Sequence, residues 1–274
     1  MMLSYSITPI IEKARITKAL ALGKRTDDRN LKEFRNIKIT TGYVKKAEGS
    51  AYVELGNTKV LAGVKVSVGT PFPDTPNQGL FIVNTEFVPA ASPLFEPGPP
   101  DEYSIEVARV VDRGIRHAEA IDLESLCIVP GEKVYTIFID VYVLDHDGNL
   151  FDASALAVMA ALLTTEIPKA EVDEDGNVKF KNERMPLPIK NRMVSLTWAK
   201  INNYLVLDPT SVEENVMDAR ITIAIDADGY LVGIQKGESG YLTLEEISQA
   251  VNDSIEISKV LLEKLPGGKS NGQD

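Results

Sequence analysis

Gly49-Ser50-Ala51-Tyr52-Val53-Glu54-Leu55-Gly56-Asn57-Thr58-Lys59-Val60-Leu61 reads as two strands joined by a tight turn. Ser50–Leu55 and Lys59–Val68 are β-rich runs, and Gly56-Asn57 between them suits a hairpin. Working outward, Ile37–Val44 and Leu80–Phe87 are further short β-rich runs. Pro71–Gly79 is a loop, and Pro89–Pro100 is a second with five prolines. Upstream, Ile7–Leu22 reads as a helix that starts near Thr8-Pro9 and stops at Gly23. A basic turn, Gly23 to Arg29, follows it.

Downstream, Asp101–Glu119 has the periodicity of an amphipathic helix. Glu132–Asp145 alternates like a strand and ends in the turn Asp145-His146-Asp147-Gly148-Asn149. Asp152 is placed to cap an almost wholly apolar helix running to Leu163, which must therefore be buried. A second acidic turn, Asp173 to Asn177, precedes the Pro-rich stretch Met185–Pro188, the best internal boundary. Then Met193–Lys200, Tyr204–Leu207, Ala219–Ile225 and Leu231–Lys236 read as strands, the last two hinged at Asp228-Gly229. Leu242–Leu265 is a closing helix, and Gly267–Asp274 a polar tail. Strands followed by a long helix, twice over, predict an α+β fold of two related units. The expected division is an N-terminal helix and basic turn over 1–34, a first subdomain over 35–167 and a connector over 168–190. A second subdomain spans 191–265, and the tail 266–274.

The 274 residues are 44% hydrophobic and 25% charged, as in ordinary soluble proteins. The longest apolar run, Ala153 to Leu163, is too short to span a bilayer. No export signal is expected at the N-terminus, and Cys127 is the only cysteine, which fits a reducing cytoplasmic setting. The formal net charge of −11 argues against a nucleic-acid binder, since phosphate affinity comes from basic patches. A local arginine stripe can still act within an acidic chain.

Arg25-Thr26-Asp27-Asp28-Arg29 and the stretch Gly49–Leu61 resemble the paired motifs of the RNase PH family, with Asp28 in place of a glycine. Asp74-Thr75-Pro76-Asn77-Gln78-Gly79, the run Phe95 to Glu102 and Ala108 to Arg113 resemble one branch of that family, the non-catalytic ring subunits of the archaeal exosome. The resemblance extends from about Arg25 to the final helix. It implies an RNase PH-like fold, its first subdomain like domain 2 of ribosomal protein S5. It also implies an inactive subunit with no cofactor and no metal. Three heterodimers with a catalytic RNase PH-like partner would form a hexameric ring, with S1- or KH-domain cap subunits on one face and single-stranded RNA as the substrate of the assembly.

Phosphorolysis of RNA needs cationic forks and hydroxyl donors for phosphate, and paired carboxylates for a metal or a proton. In active family members the turn before the buried helix carries Asp-Gly-Gly, then Thr or Ser, then Arg. Here it reads Asp147-Gly148-Asn149-Leu150-Phe151. Leu150 and Phe151 cannot hold an anion, and each lost charge-assisted bond removes about 1.5–3 kcal/mol. At the entry to the amphipathic helix, Asp101-Glu102-Tyr103 stands where active members have arginine. The resemblance aligns the carboxylate pair with Glu214 and Arg220, a cation in place of an acid. A register slip would instead leave Glu213 and Asp218 as a displaced acidic pair.

What survives is a stripe of Arg109, Arg113 and Arg116, within about 60° of one another at ~100° per residue. Val107, Val110, Val111, Ile115 and Ala118 take the opposite side. Arg109 and Arg113 lie about 6 Å apart along the axis, which suits adjacent phosphates of an extended strand. As residues alone they better fit a solvated face, with Glu106 reaching Arg109 and Asp112 reaching Arg116. The resemblance implies RNA contact by Arg109 and Arg113. No other motif carries a function. The calcium-like turn at Asp145 has Leu156 where a glutamate is needed. Gly267–Ser270 lacks both the first glycine and a following helix of a phosphate loop. His117 and His146 have no nucleophile near them in sequence, Trp198 is a core candidate, and Asp208-Pro209 ends a strand.

Overall fold

The structure, a computed structural model, describes residues 7–173 and 178–267. The opening hairpin is β2 (Gly49–Leu55) and β3 (Thr58–Gly69), closed by the pair Leu55 and Thr58. Gly56 turns the chain at a φ of 58°, in the left-handed region that glycine enters without strain. β1 (Ile37–Thr41) pairs with β2, and it stops short of Val44 because Gly42 also takes a positive φ. β3 pairs with the long strand β6 (Lys133–Asp145), whose other side pairs with β4 (Leu80–Phe87). The short β5 (Cys127–Val129) joins the start of β6. All these pairs are antiparallel except β4 with β6, which α2 (Glu102–His117) separates in sequence. A parallel neighbour needs such a crossover.

The second sheet runs β10-β9-β11-β12, entirely antiparallel: β9 (Met193–Ile201), β10 (Tyr204–Leu207), β11 (Ala219–Asp226) and β12 (Leu231–Gly237). α5 (Leu244–Lys264) packs on β9 and β11. The capping box of Thr243 and Glu246 starts this helix. Trp198 is core, its indole N–H donating to Ser254 of α5 at 2.8 Å. The α+β expectation holds.

α3 (Leu150–Leu163) joins the two sheets, packing on β2 and β3 and also on β9. Two apolar neighbours on opposite sides explain why Leu150 to Leu162 is buried all round. Its cap differs from expectation. Asn149, at φ 55° and ψ 54°, is the capping residue, and Asp152 lies inside the first turn. Gly148 and Asn149 both tolerate the left-handed region, so the chain turns into the helix three residues earlier. Asp152 is fully buried and reaches the second sheet, accepting from Thr197 N and Oγ1, both at 2.8 Å. Burial pushes its carboxyl up to about 7.

β5 escaped the periodicity analysis, and so did three later elements. β7 (Glu166–Val172) and β8 (Val178–Pro186) form a two-stranded ribbon within the stretch expected to be only a connection. Most of its residues are exposed, so it lacks an apolar face to signal it. A single turn, α4 (Ser211–Glu214), is set by the capping box of Thr210 and Glu213. α1 (Ile7–Ala21) has the expected bounds to within a residue, but its docking site was not foreseen. Ile16 and Leu20 pack with Ala199, Ile201, Val206 and Val216 of the second half. The turn at 173–177 and the tail at 266–274 fall largely outside the described residues. Among those described, no helix is long and apolar enough to cross a membrane.

Candidate nucleic-acid interface

Asp101 caps α2, its carboxylate accepting from Ser104 N at 2.7 Å. Val107, Val111 and Ile115 face the core while Arg109, Arg113 and Arg116 are exposed, as the helical spacing predicts. Val110 is only partly buried. The three arginines are not equivalent. Arg116 pairs with Asp112 at 2.9 Å and lies over Phe81, 4.1 Å from the ring centre. Arg113 donates to Gln235 Oε1 of β12 at 3.2 Å. Arg109 has no hydrogen bond or ion pair among the described residues.

Glu106, which helical spacing puts within reach of Arg109, pairs with Arg220 at 2.5 Å instead. Arg220 is only 3% exposed, and its guanidinium lies 4.0 Å from the centre of the Phe151 ring. This buried cation needs a carboxylate more than an exposed one does, because an unpaired charge away from water is costly. Arg109 is therefore left with its charge directed to solvent. The expectation of a fully ion-paired solvated face holds for Arg116 and fails for Arg109.

The positions that bear chemistry in active RNase PH-like proteins are filled by packing. Leu150 and Phe151 are both 0% exposed. Tyr103 meets Phe151 edge-on at 5.8 Å and Phe87 at 5.4 Å. Burial pushes the Tyr103 phenol well above its usual range. Glu214 accepts from Asn149 N at 2.8 Å, so a carboxylate of the chain itself sits at the α3 N-terminus. That end of a helix favours an anion. Burial pushes Glu214 up to about 7, against the Asn149 hydrogen bond and the charges of Arg220 and Arg35. The displaced acidic pair does not form. Glu213 is buried in a two-pronged ion pair with Arg25, whereas Asp218 pairs with Lys13 and accepts from Asn202 N. Among the described residues no group of three or more His, Cys, Asp or Glu side chains could hold a metal ion.

One organising residue was missed. Asp208 is buried at a φ of 51°. Its carboxylate accepts from Arg29 at 2.9 Å, from Arg35 at 2.7 Å and from Asn149 Nδ2 at 2.7 Å. It thereby ties the basic turn, the turn before α3 and the second sheet together. Arg35 also donates to the carbonyls of Asp147 and Gly148, which holds that turn in shape. These partners are 59 to 179 residues from Asp208, so spacing along the chain carries no signal of them. His146 stacks on Phe95, and burial pushes its imidazole below the usual value. His117 is exposed, its Nδ1 3.1 Å from the Val232 carbonyl.

Residues 33–168 match the first domain, and residues 191–256 the second domain, of the 3′ exoribonuclease family RNase PH. The chain belongs to the RNase PH family. Within that family it is 53% identical over 260 residues to exosome complex component Rrp42 of Thermococcus gammatolerans, covering 93% of this chain and 95% of the relative. It is 52% identical over 261 residues to the Rrp42 component of Aeropyrum pernix, covering 94% and 95%. In three dimensions it matches a chain of the Archaeoglobus fulgidus exosome with RNA bound to the active site. The TM-score is 0.87 at 44% identity, covering 94% of this chain and 99% of that one. The RNase PH-like fold implied by the motifs is thus the fold of the chain.

Proposed function

We propose that this chain is the Rrp42-type, non-catalytic ring subunit of an archaeal exosome, an assembly that degrades RNA from its 3′ end by phosphorolysis. It shapes the active site of a catalytic RNase PH-like partner and adds Arg109 and Arg113 to the path of single-stranded RNA. Three such heterodimers make a hexameric ring in the cytoplasm, and S1- or KH-domain subunits cap one face. The observation that carries the reading is a division within α2. At Glu106 the helix closes a region whose cation, Arg220, and helix N-terminus are both taken up by the chain's own carboxylates, and one turn on, at Arg109, it presents a cation with no partner among the described residues.

The test is reconstitution with the catalytic partner, followed by phosphate-dependent shortening of a labelled single-stranded RNA. The chain alone is expected to be inactive and the pair more active than the partner alone. Turnover by the isolated chain at a rate comparable to that of the pair would refute the non-catalytic assignment.

A further inference from the structure

Arg109 has two carboxylates at helical spacing, Glu106 three residues before it and Asp112 three residues after it. Neither pairs with it. Asp112 holds Arg116 at 2.9 Å, and Glu106 turns to Arg220 at 2.5 Å. The first of these pairs lies within α2 and is exposed. The second reaches across 114 residues of chain, and its cation is only 3% exposed.

The second sheet is built to hold that cation. Arg220 lies opposite Gly237 across the pair of β11 and β12. A Cβ on Gly237 would stand 2.4 Å from Nη2 and 2.9 Å from Nε of Arg220, so the guanidinium fills the space that a side chain would take. The Phe151 ring covers it as well, 4.0 Å from the guanidinium carbon. Nε is buried without a hydrogen-bond partner, and the one ion pair of Arg220 among the described residues is with Glu106. An exposed pair on a helix adds little, because water and salt screen it. Breaking a buried pair strands a charge away from water. Glu106 therefore stays with Arg220, and Arg109 keeps an unshared charge.

We propose that Arg220 is a positioning residue for RNA binding: it holds Glu106 away from Arg109 and so keeps that cation free for a phosphate. The proposal rests on the RNA-contact reading above and adds to it a buried residue that does not touch RNA. Neutralising Arg220 releases Glu106 as an uncompensated carboxylate one helical turn from Arg109. Glu106 then offsets the Arg109 charge, so a phosphate contact there releases fewer counterions and the salt dependence flattens. Removing the charge of Glu106 as well undoes the effect, although Arg220 is still missing. A merely structural role for Arg220 would show no such reversal.

The experiment uses the reconstituted ring with Arg220→Met, Arg220→Gln, each of these combined with Glu106→Gln, or Arg109→Ala. Met and Gln keep an unbranched side chain against Phe151 without the charge. Each ring is titrated with a single-stranded RNA at several salt concentrations, with assembly followed by light scattering. The two Arg220 variants are expected to bind RNA about 2- to 5-fold more weakly. The slope of log affinity against log salt should be shallower by up to about 0.7. Adding Glu106→Gln should return both affinity and slope to those of the wild-type ring. Wild-type affinity in the Arg220 variants, a loss that Glu106→Gln does not reverse, or failure of both neutral variants to assemble would each overturn the proposal. If Arg109→Ala weakens binding and flattens the slope while the Arg220 variants are silent, only the positioning role falls. If Arg109→Ala is silent as well, the RNA-contact reading falls with it.

Discussion

Two stretches of α2, one helical turn apart, treat charge in opposite ways. Around Glu106 the charges turn inward: Arg220 lies under Phe151 and against Glu106, and Glu214 sits on the backbone N–H of Asn149. Around Arg109 they turn outward, and the carboxylate within helical reach has gone elsewhere. Charged groups in the first region act on stability, while those in the second are free to act on a partner. A family active site that has lost its chemistry has become a junction between two subdomains. The cation beside it has no partner at helical spacing because the junction takes up Glu106 and Asp112 pairs with Arg116.

The sharpest way to break this contrast is to put back the missing arginine. Phe151→Arg should destabilise the chain by at least about 3–5 kcal/mol, the usual cost of deleting a buried aromatic, since the new cation also meets Arg220. It should create no phosphorolysis, because catalytic groups act as a unit and the carboxylate pair is still absent. Denaturant titration and an RNA decay assay on the same protein check both halves. A stable, active variant would mean that the junction is still a working catalytic site.

A smaller effect is expected at Glu214. Its carboxyl titrates at about 7 when folded, above its ordinary value of 4.5, so the folded state binds the proton more tightly. The sign follows: stability falls as pH rises from about 4.5 to about 7, and the penalty is fully present above that. Glu214→Gln removes this dependence and should gain stability relative to wild type, on the order of 1–3 kcal/mol at pH 8. Denaturant midpoints of both proteins at pH 5 and pH 8 measure it. A constant difference between the two would show that Glu214 is ionised throughout and held by its cations.

The smallest change in stability, within about 0.5 kcal/mol, is expected for Arg109→Glu with Arg113→Glu, since both side chains are exposed. Their effect should appear in the assembled ring instead. RNA binding weakens, and the slope of log affinity against log salt becomes shallower by about 1.4, or 0.7 for each phosphate contact with a single strand. Titration at several salt concentrations, with assembly followed by light scattering, tests it. An unchanged slope in an intact ring would make the arginine face a solvated surface and reduce the subunit to a scaffold.

Much of the architecture was legible along the chain because it is encoded locally. Gly56-Asn57 marks a hairpin wherever the chain goes next, and the unbroken apolar run of α3 requires burial whatever covers it. Set against the family pattern, Leu150 and Phe151 marked the loss of a phosphate site, since no fold makes a hydrocarbon bind an anion, and Arg220 the loss of a carboxylate, before their surroundings were known. The direction of the α2 arginines followed from a period of 3.6 residues. Tertiary structure alone decided who pairs with whom. Helical spacing offered Glu106 to Arg109, but Arg220, 114 residues away in sequence, is buried beside it and took it. Asp208 looked like the end of a strand until folding brought Arg29, Arg35 and Asn149 around it. α1 gave no sign of packing on the second half of the chain. Proximity along a chain sets which contacts are permitted. Burial, which only the closed fold creates, sets which of them are too costly to leave unmade.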